Sequence, residues 1–189
     1  MSRVKFPKDV EETRTIPFVF SDESRDSYGT VFTAKGWDLE RFNKNGIAFF
    51  NHESWSSNPD VAIGHARAWV EGNQLLGEIT FETAGLNPIA DKVFQKYLNG
   101  TYRGVSIRFF PIEIGKWGAG EESLEGKNPT YYIGRRELVE ISATPIPSNK
   151  NALTRAFSDE AKEIPELIEG EGYYTQGAVR SIEIGRAHV

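Results

Sequence analysis

The chain has no cysteine, one methionine and three histidines among 189 residues. The missing thiols exclude disulfides, thiolate metal sites and a cysteine nucleophile, and their absence suits a reducing cytosol. No apolar run approaches the roughly 20 residues a membrane-spanning helix needs. The opening MSRVKFPKDVEETRT has no apolar leader segment. A basic excess is also missing: the net charge of −5 argues against a general nucleic-acid binder. The expectation is a soluble, intracellular protein with no membrane partner. What is present in quantity is core-forming material, 39% hydrophobic and 12% aromatic, which describes a folded chain and not a disordered one.

Turn-forming residues divide that material into segments. RTIPFVFSD (14–22) reads as a first strand, followed by a turn-rich loop at 21–29. GWDLERFNKNG (36–46) predicts a short helix with Trp37, Leu39 and Phe42 on its apolar face and Asn45-Gly46 as its stop. IAFFNHE (47–53) reads as a mostly buried strand, and VAIGHARAWVEGNQLLGEITFE (61–82) as a hairpin turning at 71–74. NPIADKVFQKYLNG (87–100) is the clearest helix: Asn87 caps it, Pro88 suits its first position and Gly100 its left-handed stop. Its stripe of Ile89, Val93, Phe94, Tyr97 and Leu98 predicts packing against a sheet. Strands are expected in TYRGVSIRFFPIEI (101–114) and TYYIGRRELVEISATPIP (130–147), around a Gly-, Glu- and Lys-rich loop at 115–129. Strands dominate, so a mainly-β barrel or sandwich with flanking helices, an α+β chain, is expected.

Beyond residue 158 the chain turns acidic, with Asp159, Glu160, Glu163, Glu166, Glu169 and Glu171. The expected organisation is one domain over 1–157 and an acidic tail over 158–189. The last six residues, IGRAHV, are what one reading frame of a widely used sequencing adapter encodes. The tail is therefore expected to be truncated and to end in non-native residues, which sets His188 aside.

Three strands each carry one chemically capable group: His52 after an apolar run, Ser106 inside GVSIRFF, and Glu140 inside LVEISATPI. Alternation puts Ser106 with Arg108 opposite Val105 and Ile107, Glu140 with Ser142 opposite Val139 and Ile141, and His52 on the face of Ala48 and Phe50. Together they compose a nucleophile, base and orienter. A serine hydroxyl is a poor nucleophile near neutrality, and an imidazole must take its proton while a carboxylate fixes the imidazole's tautomer. The bland readings are a backbone-bonded strand serine, a structural strand-end histidine and a solvent-facing glutamate. A G-x-S-x-G elbow is missing, so an α/β-hydrolase gains no support. His52 and His65 as metal ligands lack both cysteine partners and a tight H-x-x-x-H spacing.

Five segments in order resemble one family: SDESRDSYGTVFTAKGWDL, GIAFFNHES, VAIGHARAW, YLNGTYRGVSIRFFPIE and ELVEISATPIPSNKNAL. Over residues 15–155 the chain is similar to the prohead, or capsid-maturation, serine proteases of tailed bacteriophages, relatives of the herpesvirus assembly proteases. The resemblance implies a closed or nearly closed antiparallel β-barrel, with Ser106 as nucleophile and His52 as general base. It favours Glu140 as third member, with His65 as the alternative because herpesvirus relatives use a second histidine. Oxyanion donors are open among amides near Ser106, amides in 147–152, and a water held by Arg103 or Arg108. The implied activity is cleavage of scaffold segments of the major capsid protein precursor, and of the protease itself, inside the assembling procapsid in the host cytoplasm. It needs no cofactor or metal and admits a homo-oligomer. A catalytically idle scaffold or assembly protein, and a small-molecule-binding barrel, are the other readings.

Overall fold

Alternating apolar residues in TIPFVFSD put Ile16, Phe18 and Phe20 on one side of a strand, and all three are buried. A computed structural model of the chain describes residues 6–120 and 129–155. The expected acidic tail and its non-native end lie outside the described residues, as do residues 121–128 of the loop that follows the strand bearing Ser106. A short helix, α1 (Val10–Thr13), leads into β1 (Thr15–Asp22). There follow β2 (Thr30–Phe32), β3 (Trp37–Asp38), α2 (Glu40–Lys44), β4 (Ile47–Phe50), β5 (Ala62–Glu71) and β6 (Gln74–Phe81). After these come α3 (Pro88–Leu98), β7 (Val105–Pro111), β8 (Lys116–Trp117), β9 (Tyr131–Ile133) and β10 (Arg136–Ala143).

Seven strands form one sheet in the order β1-β6-β5-β4-β10-β3, with β7 also paired to β10; β2, β9 and β8 form a smaller sheet. The architecture is mainly β with few helices, and the large sheet curls into an open half-barrel. It is mixed, whereas an antiparallel sheet was expected: β10 runs parallel to β3 and β4 and antiparallel to β7. Pro17 sits in β1, at the sheet's edge, where a missing N–H costs no ladder bond. Residues 153–155 stitch β1 to the start of β7 by single bridges, Phe18 with Thr154 and Gly104 with Leu153.

The concave side holds the core, where Phe18, Phe20, Ile63, Leu75, Ile79, Leu138 and Ile141 meet Val93, Phe94 and Tyr97 of α3. Asn87 caps α3 by accepting from the N–H groups of Ile89 and Ala90, and Gly100 stops it at φ +81°. The buried Tyr97 hydroxyl donates to the Gly104 carbonyl at 2.7 Å, anchoring the helix to the turn that precedes β7. A Cβ on Gly104 would come within 2.7 Å of Pro147 and 2.8 Å of the Thr144 carbonyl, so only glycine allows that approach.

The helix predicted from residue 36 is shorter, because Trp37 and Asp38 pair with β10 instead. Tertiary contact overrides local propensity there: the fully buried Arg136 guanidinium stacks on Trp37 at 3.8 Å and donates to the carbonyls of Thr33, Ile133 and Gly134.

Candidate active site

β10 is the scaffold on which the site is assembled. Its pairing with β7 places Ser142 opposite Ser106 and Glu140 opposite Arg108, so these four side chains share one face. The register slips by one residue between Leu138 and Glu140. That bulge turns both Leu138 and Ile141 into the core and leaves Glu140 and Ser142 on the other face. Simple alternation from Val139 missed the slip, yet it put Glu140 and Ser142 together.

His52 departs from the expected geometry. Strand β4 ends at Phe50, and both Asn51 and His52 have positive φ, +50° and +61°. Two left-handed residues in succession reverse the chain, so the period-two rule no longer applies. The imidazole is consequently not on the face of Ala48, which is buried in the core, but folds over to Glu140. β4 is parallel to β10 with Phe50 beside Ala143, and the Asn51 N–H donates to the Ala143 carbonyl, which sets where the reversal begins.

There His52 Nδ1 lies 2.7 Å from Glu140 Oε1. The Ser142 hydroxyl donates to the same carboxylate oxygen at 2.8 Å and accepts from the His52 backbone N–H at 3.2 Å. On the other carboxylate oxygen, Arg108 Nη1 approaches to 2.9 Å. Arg108 also donates to Ser54 Oγ at 2.6 Å and to the His52 carbonyl at 3.1 Å, clamping the reversed segment from both ends. Glu140 is only 3% exposed. Burial alone would raise its carboxyl, but hydrogen bonding with His52, Ser54 and Ser142 and the charge of Arg108 outweigh it and hold the group at about 2. An ionised carboxylate accepts only, so a neutral His52 carries its proton on Nδ1 and presents a lone pair at Nε2.

Two of the three expected residues therefore touch, and the third is a neighbour. Ser106 is half-buried on the adjoining strand, opposite Ser142, and among the described residues no hydrogen bond joins its hydroxyl to the imidazole. His65 stands apart: it is exposed on β5, between Ile47 and Thr80, with no bond to Glu140 or Ser106 among the described residues. Ser142 was legible only as a face-mate of Glu140, and the clamp made by Arg108 was not legible at all, because both roles depend on which strand lies beside which.

The oxyanion candidates are narrowed too. Arg108 is spent on Glu140, Ser54 and His52, while the N–H groups of Asn151 and Ala152 are spent on Asn149. The segment after β10 serves instead as a latch, with Asn149 and Asn151 both donating to the Asp22 carboxylate of β1.

No protein-family model matches this chain, and comparison with curated proteins and with solved structures also returned no match.

Proposed function

We propose that the chain is a serine endopeptidase of the capsid-maturation type, with Ser106 as nucleophile, His52 as general base and Glu140 as orienter. The observation that carries the reading is the 2.7 Å contact between His52 Nδ1 and the ionised Glu140, which leaves Nε2 without a hydrogen bond among the described residues, on a site whose face Ser106 shares with Glu140. In the acylation step the Ser106 oxygen attacks the scissile carbonyl carbon as its proton passes to Nε2, and the resulting imidazolium is stabilised by Glu140. Collapse of the tetrahedral adduct expels the amine, which takes the proton from Nε2 and leaves an acyl-serine ester. Water then repeats the sequence, and the carboxyl product departs. The Ser106–His52 hydrogen bond closes when substrate packs against the strand, a tightening common in this chemistry.

The reading carries the nearly closed barrel with it, since residues 153–155 already bridge β1 and β7 at single points. It also carries the substrates, which are scaffold segments of a capsid precursor and the chain itself, within an assembling shell. One specific observation favours a second reading, an idle assembly protein that retains the fold: the Ser106 hydroxyl is not engaged by His52 among the described residues. Co-expression with the capsid precursor separates them. The protease reading expects a truncated product from the parent chain and none from Ser106→Ala, with unchanged circular dichroism. A product that persists in Ser106→Ala, or no product from the parent, would overturn it.

A further inference from the structure

Positions 104, 106 and 108 share one face of the extended segment that leads into and along β7, the face opposite the buried Val105. Ser106 is the middle position, and each of its neighbours meets a different loop. Over Gly104 lies Pro147, whose ring comes within 2.7 Å of where a Cβ would stand. Against Arg108 lies Ser54, whose hydroxyl accepts from Nη1 at 2.6 Å. Beside each contact the loop carries a large apolar side chain in solvent. Ile146 and Trp55 are both 86% exposed, a value exceeded among the described residues only by Ile114. Neither backbone is loose. Ile146 stands between Pro145 and Pro147, and the ring that follows it restricts its own conformation. Trp55 stands between Ser54, held by Arg108, and Ser56, whose N–H donates to the Glu53 carbonyl at 2.8 Å and whose hydroxyl accepts from the Asn58 N–H at 3.1 Å. Single exposed apolar residues are ordinary. What sets this pair apart is its placement on either side of one hydroxyl.

We infer that Ile146 and Trp55 are the two lips of a cleft across Ser106, and that they select a peptide with an apolar side chain on each side of the bond presented to that hydroxyl. From position 104 to position 108 the strand advances about 13 Å, which is also the reach of an extended peptide from residue i to residue i+4. The substrate class is therefore an extended peptide with apolar residues four positions apart. A peptide that covers the two side chains removes their apolar surface from water, and the fixed loops beneath them lose little further freedom in the process. The inference rests on the protease reading for the chemistry done at Ser106, but the contacts with Ile146 and Trp55 can be measured without cleavage.

The probe is a fluorescein-labelled synthetic peptide, GGLAAALGG, with leucines four positions apart, added to full-length Ser106→Ala. The control is GGSAAASGG. Anisotropy should report saturable binding of the leucine peptide and about tenfold weaker binding of the serine peptide. In the Ser106→Ala background, affinity for the leucine peptide should fall about tenfold in Trp55→Ala and about threefold in Ile146→Ala, in proportion to the apolar surface each removes. Both side chains are exposed, and circular dichroism confirms that each variant is folded. Equal affinity for the two peptides, affinity indifferent to either substitution, or no binding at millimolar peptide would overturn the cleft. If the binding criteria are met while the parent chain yields no truncated capsid precursor, the cleft stands and the protease reading falls. If the precursor is truncated while the binding criteria fail, the protease reading stands and the cleft falls.

Discussion

Glu140 has opposing duties at the residue scale. It is buried on a strand, which disfavours its charge, and it is surrounded by donors that demand that charge. Replacing it by glutamine keeps the shape and loses the anion that holds Nδ1 protonated. Under the proposed mechanism Glu140→Gln should lower the rate of peptide cleavage by about four orders of magnitude. Steady-state kinetics on a peptide substrate would show this as a fall in kcat. A variant as active as the parent would remove Glu140 from the third position. The ordinary expectation for a carboxylate between Val139 and Ile141 is exposure, and the sequence pattern offers no way to see that Arg108 stands opposite.

The decisive element is the reversal that follows β4. Asn51 at φ +50° is a tolerable left-handed residue because its short polar side chain suits that region. A β-branched side chain is not tolerated there, and Asn51→Val should cost about 1–3 kcal/mol in a urea titration. Because the same reversal carries the imidazole to Glu140, under the proposed mechanism the variant should also lose cleavage activity by more than its loss of folded population. Asn51→Gly should keep both. If Asn51→Val matched the parent in both measurements, the strained turn would not be what positions His52. IAFFNHE read as one strand from its sequence because four apolar residues precede the polar ones. Nothing local marks Phe50 as the last paired residue, since that is fixed by the parallel neighbour β10 and the Asn51 bond to Ala143.

Two carboxylates join distant parts of the whole molecule. Asp22 in β1 latches Asn149 and Asn151, and Glu140 ties the His52 reversal to β7 through Arg108. Burial pushes the Asp22 carboxyl up, but hydrogen bonds from Ser24, Asn149 and Asn151 prevail and lower it. Glu140 falls from 4.5 to about 2 for the reasons given above. Groups lowered on folding supply stability that is complete above their unfolded values and lost as pH falls toward their folded ones. Asp26 acts in the opposite sense, since its burial raises it despite bonds from Tyr28 and Thr30; its contribution is retained at low pH and lost as pH rises. The two latches should outweigh it. The midpoint of thermal unfolding should fall between about pH 5 and about pH 2, and the fall should be shallower in Glu140→Gln. A midpoint flat across that window would show that neither latch stabilises the fold.

Local chemistry determined much of this protein. Asn87, Pro88 and Gly100 set the limits of α3, the alternation of β1 chose its buried face, and the turn at 71–74 made the hairpin of β5 and β6. The three residues of the candidate site were singled out by type and position alone, because a hydroxyl, an imidazole and a carboxylate inside apolar runs stand out wherever they lie. Tertiary structure alone decided that His52 meets Glu140 and that Ser106 stands opposite Ser142. The bulge before Glu140 is settled by β7, roughly 30 residues away, and the parallel pairing of β4 with β10 and the positive-φ residues at 51–52 by packing between segments roughly 90 residues apart. Side-chain direction depends on strand register, and register is a property of the neighbour as much as of the strand.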